Sequence, residues 1–438
     1  MEPATRLLLS GAASAALTGV GLRPVDRHGL GSGPAFVLGL PISEMPLHVG
    51  AAQAALALLL SRAGGPRGWR GMAGLGLTAA SLAGLWRLHR DAQDAERVLE
   101  EALVGALGAG YRDRIHEPFS PPPVAPLTRR SMLAPQFFTR KRYVGPGGED
   151  LPYGEAGRRN HLDVWRRPDL PADAAAPVLV EVHGGAWMMG QKRGQAEPLM
   201  SHLAERGWVC VTLNYRLSPR ATWPDHIVDV KRALTWVKAH IADYGGDPGF
   251  VVVTGGSAGG HLAALTALTP GLAAYQPGFE DADTSVAAAV PFYGVYDFTS
   301  RGSNANLLME DLLARNVFKT SLDDDSARWE LASPMSHAGS DAPPFFLLHG
   351  TNDTLVPVEQ ARAFADLLGA GSRRPVVYAE LPRAQHAFDV LPSVRAHHTV
   401  HAVERFLAVV RSEHGGPTPA EAVAPASGAA AQESAGRG

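Results

Sequence analysis

Phe250-Val251-Val252-Val253-Thr254-Gly255-Gly256-Ser257-Ala258-Gly259-Gly260-His261-Leu262-Ala263-Ala264-Leu265 decides the reading of this chain. A short β-branched run passes through a glycine-flanked serine into a helix-forming run, which spells strand, sharp turn and helix. A serine held at positive φ at such a turn exposes its hydroxyl but crowds the residues two before and two after it. Gly255 and Gly259 remove the Cβ atoms that would clash there. The helix beginning at the serine aims free N–H groups at the place where negative charge can develop. Taken alone, the same residues are also a glycine-rich turn with Ser257 as N-cap, so the chemistry depends on partners elsewhere.

About seventy residues upstream stands His183-Gly184-Gly185-Ala186-Trp187, whose glycines let backbone N–H groups face an oxyanion. A serine hydroxyl also needs an imidazole to take its proton and an acid to hold that imidazole in one tautomer. On a strand–turn–helix site of this kind the expected chain order is serine, acid, histidine. Downstream, Pro344-Phe345-Phe346-Leu347-Leu348 is a buried-strand run opening into His349-Gly350-Thr351-Asn352-Asp353-Thr354. The next strand, Pro375-Val376-Val377-Tyr378-Ala379, is followed by the loop Leu381-Pro382-Arg383-Ala384-Gln385-His386-Ala387-Phe388. Asp353 and His386 therefore both leave the carboxyl ends of strands, with Asp341 and Asp389 as rival acids.

With these motifs the chain resembles an α/β-hydrolase of the hormone-sensitive-lipase-like esterase group, near the Lip-type carboxylesterases of mycobacteria and other actinobacteria. The resemblance is carried by His183 to Trp187, Asn214-Tyr215-Arg216-Leu217-Ser218-Pro219, Gly255 to His261, His349 to Asp353 and Gln385-His386-Ala387-Phe388, and it spans roughly 140–411. It implies Ser257 as nucleophile, Asp353 as orienting acid, His386 as base, and the N–H groups of Gly184, Gly185 and Ala258 as oxyanion hole. Two departures bear on the subfamily. The group often has an acid where this chain has Gly256, and a third glycine where it has Ala186.

The catalytic region alternates strands near 178–182, 208–213, 251–254 and 286–290 with helices near 195–205 and 227–241. This alternation predicts a mostly parallel central sheet with helices on both faces, the α/β-hydrolase fold, preceded by a helical N-terminal region. The expected division is a helical region over 1–116, a proline-rich linker over 117–139, the catalytic domain over 140–413 and a disordered tail over 414–438. The polar stretch 293–321 is expected to be a lid or insertion. Forty basic against 43 acidic residues give no electrostatic reason for a nucleic-acid partner. A single cysteine, Cys210, excludes an intramolecular disulfide. No zinc spacing and no phosphate-binding glycine loop is present, so neither metal nor cofactor is expected.

Charge-free stretches at 7–22, 45–61 and 71–86 make the N-terminal region apolar, though each is shorter than the ~20 residues of a perpendicular span. Arg62, Arg67 and Arg70 lie between the second and third stretches. Two apolar segments joined by a basic loop predict a membrane hairpin with that loop cytoplasmic and the catalytic domain outward. A helical cap over the acyl pocket, on a soluble cytoplasmic protein, is the competing expectation. A cleaved signal peptide at 6–15 is a third. The amphipathic stretch 91–107 suits either a membrane surface or the hydrolase. The expected reaction is two-step hydrolysis of short- to medium-chain acyl esters, without interfacial activation. Trp187, Met188 and Met189 could line the acyl pocket, while His183 and Arg216 are expected to brace loops. An arylformamidase-type amidase, which shares the His-Gly-Gly-x-Trp pattern, and a non-catalytic hydrolase-fold binding protein are the alternatives. Oligomeric state is not legible.

Overall fold

The computed structural model describes residues 1–24, 29–116, 139–299 and 307–414. The expected proline-rich linker, 117–139, and the expected tail, 414–438, lie almost wholly outside these residues. The described part of the N-terminal region is built of four helices, α1 (Pro3–Leu22), α2 (Ser32–Glu44), α3 (Pro46–Arg62) and α4 (Gly68–Leu107). The catalytic region follows with β1 (Leu151–Pro152), β2 (His161–Trp165), β3 (Ala176–Val182), α5 (Glu197–Glu205), β4 (Val209–Leu213), α6 (Asp225–His240), β5 (Gly246–Gly256), α7 (Ala258–Leu268) and β6 (Ala288–Phe292). It ends with β7 (Phe345–Gly350), α8 (Val358–Gly371), β8 (Val376–Leu381) and α9 (Val394–Glu413).

The eight strands form one sheet in the order β1-β2-β4-β3-β5-β6-β7-β8. From β4 across to β8 the neighbours are parallel, as the strand–helix alternation requires, while β1 and β2 are antiparallel additions. These two strands escape the sequence pattern because β2 carries the buried Asp163, which breaks its apolar run. In the fold that carboxylate is compensated by Arg140 at 2.7 Å, by Arg193 at 3.3 Å and by Lys192.

Because strand side chains alternate, the sheet feeds two cores. Val178, Val180, Val182, Val251 and Val253 point to one face, where Ile227, Val230 and Leu234 of α6, Leu262 of α7 and Phe364 of α8 cover them. Leu179, Phe250 and Val252 point to the other, under Leu199 and Leu203 of α5 and Phe406 of α9. The second core also takes Ala95, Leu99, Leu103 and Leu107, one face of α4 at four-residue spacing. The amphipathic stretch 91–107 thus packs on the hydrolase.

The expected hairpin is only part of the N-terminal arrangement. α3 and the first half of α4 do run side by side, but α1 packs along α4 as well, and α4 continues unbroken for 40 residues into the catalytic domain. The region also reaches the loops after β7 and β8. Asn352 Nδ2 donates to the Gly21 carbonyl at 3.0 Å, Thr354 Oγ1 to the Ser32 carbonyl at 3.0 Å, and Arg395 forms a fully buried ion pair with Glu44. In the 293–321 stretch, Phe298 and Phe318 pack inward against each other, with Phe298 edge-on to Trp187. Residues 300–306 of this stretch lie outside the described set.

Candidate active site

At the end of β5 the chain turns through Ser257, whose φ of 59° and ψ of −122° lie in a region that L-residues rarely occupy. The turn is fixed by its neighbours. Ser257 N–H donates to the Phe292 carbonyl at 3.0 Å. A Cβ on Gly259 would stand 1.8 Å from the Val182 carbonyl oxygen, and one on Gly255 2.4 Å from the same atom. Both positions therefore require glycine, for close approach to β3. Gly256 also has a reason: its missing Cβ would stand 2.6 Å from the Tyr293 hydroxyl, so that side chain fills the space where related chains often carry an acid.

The loop after β3 lies beside this turn. Gly184 Cα is so near that a Cβ there would lie 3.3 Å from Ser257 Cβ. Gly185 has a φ of 123°, and a Cβ on it would lie 2.2 Å from the Met189 carbonyl. His183 is buried, stacks on Tyr215 at 4.4 Å, and its Nδ1 lies 2.8 Å from the Gly184 carbonyl. Burial pushes its imidazole down to about 4, which suits a neutral brace rather than a second base. Trp187 is buried in the core, and its indole N–H donates to His261 Nδ1 at 3.1 Å. Met189, by contrast, is largely exposed. Arg216 is an internal brace, 2.9 Å from Asp225 and 2.8 Å from Asp229.

One of the three expected donors has a partner within the chain. Gly184 N–H donates to Gln195 Oε1 at 2.8 Å, so it is already engaged. No hydrogen bond among the described residues engages the N–H of Gly185 or Ala258. The open donors beside Ser257 are those two.

Asp353 and His386 come together although they belong to different loops. His386 Nδ1 lies 2.7 Å from Asp353 Oδ2, and the other carboxylate oxygen accepts from the N–H groups of Leu355 at 2.8 Å and Val356 at 2.9 Å. Burial alone would raise the Asp353 carboxyl. His386 and His349 outweigh it and hold the group well below the usual carboxylate range. The rival acids are placed otherwise. Asp341 is exposed and pairs with Arg373, while the buried Asp389 accepts from the Tyr293 hydroxyl. Burial raises the Asp389 carboxyl. Tyr293 borders both halves of the site, touching Gly256 and lying 4.6 Å ring to ring from His386.

Two polar side chains at this site carried no role in the sequence. His349 Nε2 lies 3.2 Å from Asp353 Oδ2 and 3.1 Å from the Val356 carbonyl. Gln385 Oε1 accepts from His386 N–H at 2.8 Å and from Thr354 N–H at 2.9 Å, tying the loop of Asp353 to that of His386. Both stood inside quoted motifs, but nothing in a motif says which way a side chain turns.

The chain is 50% identical over 418 residues to a Mycobacterium tuberculosis protein named "Probable carboxylic ester hydrolase LipM", covering 95% of this chain and 96% of that one. The chain belongs to the Lip-type esterases of the α/β-hydrolase fold. It is a carboxylic ester hydrolase. Esterase LipQ of the same organism is 49% identical over 73% of this chain and 76% of its own length. The family profile described as BD-FAE matches residues 162–368. Among solved structures, the butyrate-bound esterase Est2 of Thermogutta terrifontis aligns with a TM-score of 0.51 at 28% identity, over 63% of this esterase and 96% of that chain.

Proposed function

We propose that this esterase hydrolyses short- to medium-chain acyl esters in two steps through Ser257, His386 and Asp353. The observation that carries the reading is the 2.7 Å contact of Asp353 with His386 Nδ1, in a fold that sets Ser257 on a strained strand–helix turn. With Nδ1–H donating to the carboxylate, the other ring nitrogen is left as the acceptor a general base needs.

Ser257 Oγ attacks the ester carbonyl as His386 takes its proton. The tetrahedral oxyanion is held by N–H groups of Gly185 and Ala258, the latter at the first position of α7, where the helix dipole favours negative charge. The alcohol leaves with the proton from His386. Water then attacks the acyl-enzyme by the same proton transfers in reverse, releasing the acid and free Ser257. Gln385 and His349 act through Asp353 and His386 as positioning residues.

The short acyl preference is supported by the resemblance to Est2, whose structures carry butyrate and, at a TM-score of 0.50 and 27% identity, propionate. A fluorophosphonate probe should label Ser257, and turnover should fall along a series of 4-nitrophenyl esters from butyrate to palmitate. Labelling elsewhere would reject the nucleophile. Faster cleavage of N-formylkynurenine than of butyrate esters would favour an amidase.

A further inference from the structure

The N-terminal bundle is inverted relative to one built for water. Where α1 meets α4 most of the buried residues are small or polar, Gly11, Ser14 and Thr18 on α1 and Gly71, Gly74, Thr78 and Ser81 on α4; the large apolar exceptions are Leu7 near the start of α1 and Leu85 and Leu88, which cluster with Ile42 at the end nearer the hydrolase. The backbones come so close that a Cβ on Gly11 would lie 2.3 Å from the Gly74 carbonyl oxygen. Inside the bundle Ser81 Oγ lies 2.7 Å from Thr18 Oγ1, 2.7 Å from Gln53 Oε1 of α3 and 3.0 Å from the Ser14 carbonyl. Many large apolar side chains point outward instead: Leu9 and Leu17 of α1, Leu56, Leu58 and Leu59 of α3, Met72 of α4. Beyond residue 86, only Met189, Leu331 and Leu367 are comparably exposed among the described residues. In water this bundle would wet its apolar surface and gain little from its interior. In lipid, small-residue contacts and interhelical hydrogen bonds are what hold helices together.

Charge and aromatic placement give the orientation. α1 and α4 run in the same direction, Leu7 lying against Gly74 and Thr18 against Ser81, while α3 runs opposite. The uncharged stretches 7–22, 46–61 and 71–86 therefore lie side by side between two charged levels, Glu2, Arg6, Arg62, Arg67 and Arg70 at one end, Arg23, Glu44, Arg87, Arg90 and Asp91 at the other, so that the first end is the more basic. Twenty residues of α1 span about 30 Å, the thickness of a bilayer's hydrocarbon. Trp69 at the basic end is 72% exposed and Trp86 at the other 57%, the two depths at which tryptophan favours a membrane interface. Four arginines at one end suit the anionic cytoplasmic leaflet, which leaves the hydrolase on the opposite side.

α2 is set differently. It meets α3 at 92°, so it runs across the direction of that helix, beside the loops after β7 and β8. Val37 is 65% exposed and Leu38 is exposed beside it. From the same helix Phe36 meets the His386 ring edge-on at 5.8 Å. A helix with apolar residues toward lipid and another face on the catalytic histidine joins the bilayer surface to the site.

We infer that α1, α3 and the first half of α4 are embedded in a lipid bilayer, with α2 along its surface, so that an amphiphilic ester enters the site from the membrane past Val37 and Leu38. The inference rests on the esterase reading of Ser257 and His386. The ester's apolar body stays in the lipid while its short acyl group meets Ser257, so the chain reaches its substrate by being anchored and needs no emulsion to open it.

The test uses the full chain in vesicles of phosphatidylethanolamine and phosphatidylglycerol in equal amounts. Two butyrate esters are compared, a water-soluble 4-nitrophenyl ester and an umbelliferyl ester with a long alkyl tail dissolved in the vesicle. The protein should resist carbonate extraction and hydrolyse both. The double variant Val37→Asp, Leu38→Asp should keep its rate on the soluble ester and lose about tenfold or more on the membrane-borne one. Release by carbonate, or equal loss on both esters, or no loss on either, would overturn the inference. Failure of the unsubstituted protein on the soluble ester would instead reject the hydrolytic reading of the site.

Discussion

Asn352 Nδ2 donates to the carbonyl of Gly21 at 3.0 Å, joining the residue before Asp353 to the last turn of α1, 331 positions away in sequence. The loop that carries Asp353 is thereby braced by the N-terminal helices as well as by β7. Together with the Thr354–Ser32 contact and the Glu44–Arg395 pair, this makes the helical region a support of the site whatever else it does.

The Glu44–Arg395 pair offers a direct check of that support. Both side chains are fully buried, and Ser393 Oγ donates to the same carboxylate at 2.9 Å. Glu44→Gln leaves the Arg395 guanidinium buried without its counter-ion and should cost about 3–5 kcal/mol, the usual penalty for breaking a buried pair. Urea unfolding of the full chain in mild detergent measures it. An unchanged midpoint would show that the two domains do not stabilise each other through this contact.

Ser257→Ala should lower turnover on the order of a million-fold with the circular-dichroism spectrum unchanged. His386→Ala should be nearly as damaging, since the two act as a unit. Asp353→Asn should retain more activity than either, because the imidazole remains but its tautomer is no longer selected. A crippling effect of Asp389→Asn with Asp353→Asn harmless would transfer the acid to the other loop.

Gln385→Ala removes the acceptor shared by His386 N–H and Thr354 N–H without touching a reacting atom. The base should drift relative to the turn at Ser257, lowering kcat by roughly a hundredfold, as misplacements of about an ångström do, with KM little changed. Recovery in Gln385→Glu, which keeps the acceptor oxygen, would separate positioning from a general loss of fold. A change confined to KM would argue that Gln385 meets substrate instead.

Acid should destabilise this protein before its carboxylates protonate. Burial pushes His183 down to about 4 and His226 and His261 down to about 3, from an ordinary 6.5. Between those values and 6.5 the unfolded chain binds protons that the folded chain refuses. Stability is therefore full above about pH 6.5 and falls as the pH drops toward 4, by up to about 1.4 kcal/mol per pH unit for each group. Asp353, held below its ordinary 3.8, adds stability that is lost only below that pH. Urea midpoints measured at pH 7, 6 and 5 should decline, and a flat series would mean that these imidazoles take up protons without unfolding the chain.

Ser257 could be found in the chain because its constraints are local: a strand, two glycines whose Cβ atoms would strike β3, and a helix, all within a dozen residues. The parallel sheet was legible for the same reason, since strand and helix periods differ over short windows. Asp353 and His386 were legible as loops after strands, though Asp341 and Asp389 met the same rule. Only the tertiary structure separated them, by giving Asp341 to Arg373, Asp389 to Tyr293 and Asp353 to two histidines. It also engaged Gly184 N–H with Gln195, eleven positions on, and assigned His349 and Gln385 their contacts. β1 and β2 were hidden because Asp163 interrupts the apolar run that the pairing with β4 then buries. The N-terminal helices show the boundary most plainly. Their apolar composition was evident in the sequence, but which side of each helix faces its neighbour depends on partners tens of residues away. That choice, small residues inward and many large ones outward, exists only once the helices are packed.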